Sequence, residues 1–92
     1  MHHRVVITAM APGQFGVEVT EGDVTTSHRV RVPDDLVDGV FAGQVDPEIL
    51  VRESIEYLLE REPATSILEE FSLDDIANYY DSYVDDLRER VS

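Results

Sequence analysis

The chain has 92 residues, with 20 acidic residues against seven arginines, and a formal net charge of −13. It contains no cysteine and no lysine, which excludes disulfides, thiolate nucleophiles, sulfur-bound zinc and Schiff-base chemistry. Because acidity of this size repels nucleic-acid phosphate and anionic lipid, the composition predicts neither a nucleic acid nor a membrane as partner.

The charge is divided between the two halves of the chain. Residues 1–33 hold three acids and three arginines, whereas residues 34–92 hold seventeen acids and four arginines and therefore carry the whole net charge. Ninety-two residues are typical of one domain, so we predict a single domain over 1–92 with a neutral β half and an acidic helical half. No signal-peptide pattern or long apolar run is present, which predicts a cytoplasmic protein.

The neutral half has the residue pattern of three β-strands. Residues 4–10 are β-branched and apolar, and residues 15–20 and 24–32 alternate apolar with polar side chains. Glycine-containing turns separate the three segments, and Pro33 ends the last one because it cannot donate to a strand ladder. The sequence predicts a three-stranded antiparallel β-meander over about 4–32.

The acidic half has helical periodicity. Asp46-Pro47-Glu48 is typical of a helix start, and Pro63 ends that helix, which gives a helix over about 46–62. The capping-box spacing at Ser66 predicts one further turn over 67–71. Apolar residues then recur at helical spacing, which predicts a last helix over about 73–90. The predicted fold class is α+β, with two main α-helices and short helical connections packed on the meander.

The last predicted helix carries the candidate partner-binding residues. Tyrosine is enriched at interface hot spots, and neighbouring aspartates add charge for a basic partner. The candidate residues are Tyr79, Tyr80, Tyr83, Asp81 and Asp85. Two alternatives remain at this point: the tyrosine stripe belongs to the domain's own core, or it packs on a second copy.

No residue set predicts catalysis. His28 has no serine, aspartate or second histidine at a recognisable spacing, and the acids are spread along helices rather than grouped in a calcium-type loop. We therefore predict a protein that is not an enzyme, with no catalytic residues, no metal site and no cofactor.

A weaker pattern concerns nucleic acid. The segments 30–36 and 46–55 resemble the ribbon-helix-helix fold of antitoxins and small repressors, in which a strand enters the DNA major groove. That resemblance implies DNA contacts by Arg29 and Arg31. The same two arginines could instead bind another anion, or pair across the sheet with Glu18 or Glu21.

The middle of the chain also resembles a family of small, uncharacterised bacterial proteins. The matching motifs are the strand 28–32, Leu-Leu-Glu-Arg-Glu-Pro at 58–63, Ser-Ile-Leu at 66–68 and Phe-Ser-Leu at 71–73. The resemblance covers about residues 24–80. It implies one compact unit and brings no activity with it.

Two functions follow as hypotheses. The first is a non-catalytic protein-interaction module, accessory or antitoxin-like, that holds a basic protein through its acidic, tyrosine-bearing helical surface. The alternative is a ribbon-helix-helix-like DNA-binding regulator. The acidity itself has a second interpretation, as a solubility adaptation to high salt or a consequence of a high-GC genome. A small sheet leaves edges unpaired, so we also predict a homodimer.

Overall fold

The fold is known from a computed structural model, which describes residues 3–40 and 42–91. The strands are β1 (His3–Ala11), β2 (Gln14–Glu21), β3 (Val24–Arg31) and β4 (Glu70–Ser72). The helices are α1 (Pro47–Leu59), α2 (Leu73–Tyr79) and α3 (Tyr83–Val91), with a π-helical turn at Asp35–Val40 and a 3-10 turn at Ala64–Ser66. The predicted α+β class is confirmed.

The first three strands form the predicted antiparallel meander, in which β2 pairs with β1 on one side and with β3 on the other. Two-residue turns join them, and Gly13 and Gly22 take the positive φ values of 74° and 59° that such turns require. In the first turn, Gly13 also accepts a 2.8 Å backbone hydrogen bond from Val32.

The sheet has a fourth strand that was not predicted. Instead of a helical turn over 67–71, the chain becomes extended after Ala64–Ser66, and β4 pairs in parallel with the end of β3. Phe71 lies opposite Val30, and both side chains are buried in the core. Burial of that pair, about 2 kcal/mol or more for the phenylalanine alone, outweighs the weak local preference for a helical turn.

One face of the sheet carries the core. Alternate residues of β2 and β3 point to this face, where α1 and the last two helices cover them. The buried apolar residues of the sheet are Phe15, Val17, Val19, Val30 and Phe71, with Val32 just after β3, and the main helical contributions are Leu50, Val51, Ile55, Leu73, Ile76, Tyr83 and Leu87. The opposite face of the sheet has no covering layer among the described residues.

The last helix is broken, which corrects the prediction of one helix over 73–90. Tyr80 has extended backbone angles of −132° and 105°, so α2 ends at Tyr79 and α3 begins at Tyr83. The predicted start of α2 is confirmed, since the Asp75 carboxylate accepts a 3.0 Å hydrogen bond from the Ser72 N–H. Within the described residues, no helix has the length and apolar character needed to cross a membrane.

Two valines test the location of the core. Val19 is fully buried, whereas Val24 on the neighbouring strand is 47% exposed. Val19→Ala should lower the free energy of unfolding by about 2–3 kcal/mol, because it removes two buried methyl groups and leaves a cavity. Val24→Ala should change it by less than about 0.5 kcal/mol. Urea unfolding of both variants measures the difference, and equal effects would contradict the assigned core.

Candidate interaction surface

The two predicted DNA-contacting arginines lie on the uncovered face of the sheet. Arg29 and Arg31 are exposed, and within the described part of the chain neither guanidinium has a side-chain partner. The predicted alternative of a cross-strand pair with Glu18 or Glu21 is wrong, because within the described residues neither acid forms an ion pair with these arginines, and the Glu21 carboxylate instead accepts a 2.9 Å hydrogen bond from the Ala64 N–H. Near its end β3 has β2 on one side and β4 on the other. A ribbon-helix-helix dimer needs that strand free for its mate.

The predicted tyrosines belong to an aromatic cluster that joins α1 to the last two helices. The Tyr57 ring makes edge-on contacts with Tyr80 and Tyr83, at centroid distances of 5.8 and 5.3 Å. Tyr83 is fully buried, and its hydroxyl is 2.6 Å from the Ser54 hydroxyl on α1. Tyr83 is therefore a core residue that a partner cannot touch without unpacking the helices.

Two arginines cover the cluster and neutralise the acids around it. The Arg61 guanidinium lies 3.6 Å from the centre of the Tyr57 ring, a cation–π contact. Arg90 donates to Glu60 at 2.6 Å and lies 3.5 Å from Asp86 and 3.9 Å from Glu53. Charged hydrogen bonds of this kind are stronger than neutral ones, so α1 and α3 are held together through their cations.

The pKa shifts follow from these contacts. The hydrogen bond to Glu62 is the main cause of the raised pKa of Tyr80, and burial is the main cause of the raised pKa of Tyr83. The hydrogen bond to Glu60 raises the pKa of Arg90. Both phenols therefore stay neutral and able to donate at physiological pH.

A groove lies between the end of α1, the segment before β4, and α2. It has a volume of about 280 Å³ and a mainly apolar lining. Its floor includes the buried side chains of Leu58, Ile67 and Ile76, and its two outer walls are Leu68 and Tyr79, which are 55% and 73% exposed. We call it the Leu68–Tyr79 groove. Large apolar side chains exposed side by side in a concave surface are typical of a binding site.

The rim of the Leu68–Tyr79 groove is acidic. Glu62 borders it from the end of α1, where its carboxylate accepts a 2.6 Å hydrogen bond from the Tyr80 hydroxyl. Asp75 borders it from α2, and its carboxylate is fixed by the Ser72 N–H. Each carboxylate is held in place by a neutral donor, so the groove combines apolar walls with two fixed carboxylates.

The structure places the predicted site residues in different surroundings. Tyr79 and Tyr80 line the groove, Tyr83 is in the core, Asp81 is exposed in the turn between α2 and α3, and Asp85 is exposed in the first turn of α3. The sequence did not indicate the walls and rim supplied from outside the last helix, namely Leu58, Glu62, Ile67, Leu68 and Phe71. The only indication in the sequence that Leu68 is exposed was its position next to Ile67. When two neighbouring residues of an extended segment are both apolar, one of them must face outward.

The buried His28 is part of the framework. His28 Nδ1 is 2.7 Å from the Leu68 carbonyl oxygen, and its Nε2 is 2.7 Å from the Thr26 hydroxyl. It ties β3 to the segment that forms one wall of the groove. Over residues 3–40 and 42–91, no three histidine or acidic side chains are grouped to hold a metal ion.

Comparisons with known proteins give no relative. No family model matches the chain, and neither a curated protein nor a solved structure matches it at a significant level.

The arginine link between α1 and α3 can be tested with a matched pair. Arg90→Gln should lower the free energy of unfolding by about 1 kcal/mol at low salt, because it leaves Glu53, Glu60 and Asp86 facing each other. Arg88→Gln removes the same charge from an exposed position two residues away and should have a much smaller effect. Thermal unfolding at low and high salt measures both variants. Equal effects would show that only net charge matters.

The buried Tyr83 predicts alkaline instability. Its pKa is raised by burial, so above pH 10 the unfolded chain loses the Tyr83 proton while the folded chain keeps it. The contribution to stability is complete below pH 10 and falls above it by at most about 1.4 kcal/mol per pH unit. Urea unfolding between pH 9 and 11.5 should show a flatter decline in Tyr83→Phe than in the wild type. Tyr79→Phe, at an exposed tyrosine, should follow the wild type, and identical slopes in all three proteins would refute the assignment.

Proposed function

We propose that this protein is a non-catalytic interaction module, accessory or antitoxin-like, that holds a basic segment of a partner protein in the Leu68–Tyr79 groove. The observation that carries the proposal is the groove itself, with two exposed apolar walls and two carboxylates in its lining. A peptide with apolar residues between arginines or lysines has the complementary pattern.

The size of the groove favours side chains over a larger ligand. Small-molecule sites commonly measure about 300–1,000 Å³, and a groove of about 280 Å³ falls just below that range. Side chains of leucine or phenylalanine size would bury apolar surface against Leu68 and Tyr79. Interface energy is commonly concentrated in a few such anchor residues.

The charge of the helical half favours a basic partner. Two of its four arginines, Arg61 and Arg90, are engaged at the aromatic cluster, whereas Asp74 of α2 and Asp81 of the turn after it are exposed. Complementary charge raises the rate of association and excludes acidic competitors. Such binding weakens as salt rises, because the charges lie at the surface and are screened.

The assignment as non-catalytic rests on the residue types present and on how they are used. His28 is bonded through both ring nitrogens to the framework, and within the described part of the chain the Ser66 hydroxyl in the groove has no hydrogen-bonded base. A DNA-binding role finds less support, since β3 is enclosed where Arg29 and Arg31 lie. The proposal includes a cytoplasmic location and a homodimeric state, both of which rest on the sequence.

A peptide-display selection tests the proposal directly. A library of randomised 12-residue peptides is selected on the wild-type protein at low salt and counter-selected on Leu68→Ser. We expect enriched peptides that combine arginine or lysine with leucine or phenylalanine. They should bind Leu68→Ser about tenfold more weakly, because that change removes an apolar wall. Fluorescence anisotropy from about 0.05 to about 0.5 M NaCl should show affinity falling as salt rises.

The control is Ile49→Ser, which removes a residue of similar exposure, 47%, away from the groove. It should keep wild-type affinity for the same peptides. The proposal fails if no peptide is enriched, if the enriched peptides carry no basic residues, or if Leu68→Ser and Ile49→Ser bind them equally well.

A further inference from the structure

The exposed large apolar residues fall mainly in two regions. Leu68 and Tyr79 form the groove, whereas three others lie around β1: Val6 and Met10 on the uncovered face of the sheet, and Ile49 on α1, which packs on the core side beside β1. A monomer gains no stability from exposing these three side chains. The apolar residues on both sides of β1 therefore require an explanation of their own.

β1 is a long edge strand whose middle is unprotected. It runs over nine residues, His3–Ala11, that include no acid, no proline and no lysine. The opposite edge is blunted, because β4 has only three residues and begins with Glu70. Charges, prolines, bulges and short lengths are the usual means by which edge strands avoid pairing. β1 has such features only at its two ends, with His3 and Arg4 at its start and a bulge between Ala9 and Ala11 at its close.

The free hydrogen-bonding groups of β1 belong to alternate residues. Arg29 N–H donates toward β4, and N–H directions alternate along and across paired strands. Followed from β3 across β2 to β1, this alternation means that the N–H and C=O groups of Val5, Ile7 and Ala9 point to the free edge of the sheet. The Val5 carbonyl confirms this direction, since it accepts a 3.4 Å hydrogen bond from Arg52 of α1 rather than from β2.

The side chains beside this edge are incompletely covered. Val5 and Ile7 point to the core face but are only half-buried, unlike Val17 and Val19 of β2. Glu56 contacts His3 and Arg52 contacts Val5, so α1 runs antiparallel along β1. One helical turn before Arg52 on α1, and two residues after Val5 on β1, the same spacing places the exposed Ile49 beside Ile7. The backbone edge and an apolar strip beneath it thus form one continuous surface.

The distribution of charge along the chain favours a second copy as the molecule that covers this surface. Two copies of a chain with net charge −13 repel each other when their acidic helical halves meet. Residues 1–33 are formally neutral, so contact through β1 brings together the parts that repel least. A second copy also has an identical free strand to offer, and antiparallel pairing of identical strands is compatible with two-fold symmetry.

We propose that a second copy of the chain pairs antiparallel along β1, which joins two four-stranded sheets into one of eight strands and brings Ile49 of each copy to the interface. This inference rests on the homodimer included in the proposed function and specifies its surface. In the dimer the N–H groups of Val5, Ile7 and Ala9 are bonded across the two-fold axis, and Arg52 gives up the Val5 carbonyl.

Sedimentation equilibrium over a concentration series tests the interface in three variants. Ala9→Pro removes an edge-facing N–H at an exposed position where a proline is tolerated, and Ile49→Arg places a charge in the apolar strip. Each should weaken self-association at least tenfold. The matched control Leu68→Arg makes the same charge change on the other apolar surface and should dimerise like the wild type.

The salt response separates this contact from partner binding. Screening reduces the repulsion between two −13 bodies, so self-association should tighten as NaCl rises, whereas binding of a basic peptide in the groove should weaken. Hydrogen exchange gives a second, site-specific readout that does not depend on variants. The amides of Val5, Ile7 and Ala9 should become protected as protein concentration rises.

The possible outcomes are distinct. A wild-type protein that stays monomeric at all concentrations overturns both the homodimer and this interface, while peptide binding in the groove would stand. A dimer that persists in Ala9→Pro and Ile49→Arg but dissociates in Leu68→Arg overturns the β1 interface and leaves the homodimer. Circular dichroism establishes that each variant is folded, and the exchange data on the wild type decide the question if one is not.

Discussion

The packing of two acidic helices against each other is the constraint on which the rest of this structure depends. α1 and α3 each present carboxylates at their contact, and Arg90 reaches acids of both, with Glu60 at 2.6 Å and Asp86 at 3.5 Å. Arg61 adds its charge from above the Tyr57 ring. A helical half with seventeen acids and four arginines thus uses half of its cations at one contact, and most of its other acids remain available at the surface.

The docking of α3 on α1 also explains the groove. The Tyr83 hydroxyl meets Ser54 in the core, and the Tyr80 hydroxyl donates to Glu62 just beyond α1. The backbone is extended at Tyr80, so α2 and α3 are separate helices. The space left at the end of α1 is the Leu68–Tyr79 groove, so the surface proposed for binding follows from the packing of the aromatic cluster.

Local sequence patterns correctly predicted those strands and helices whose formation depends on local interactions. The alternation in 15–20 and 24–32 gave two of the three strands of the meander, and the Asp46-Pro47 start gave α1, because each pattern fixes its element without distant contacts. The break at Tyr80 escaped prediction because Tyr79, Tyr80 and Tyr83 keep helical spacing through it. β4 escaped because three residues carry no period, and its position depends on Phe71 meeting Val30 about 40 residues away. The groove depends on both of these tertiary contacts, so its outer wall at Leu68 could not be read from the sequence.

Because charge is segregated along the chain, the two proposed surfaces should respond to salt in opposite directions. β1 lies at one edge of the sheet, and the groove lies beside β4 at the other, so a dimer joined through β1 carries its two grooves at its outer ends. A partner with two basic segments could then occupy both grooves and gain affinity through effective concentration, provided that its linker spans the eight strands. Because the proposed dimer contact is neutral and the proposed binding grooves are acidic, rising salt should favour the dimer while it releases a basic partner. On these two proposals, partner release would not require dissociation of the dimer, because the neutral strand half and the acidic helical half respond to salt in opposite directions.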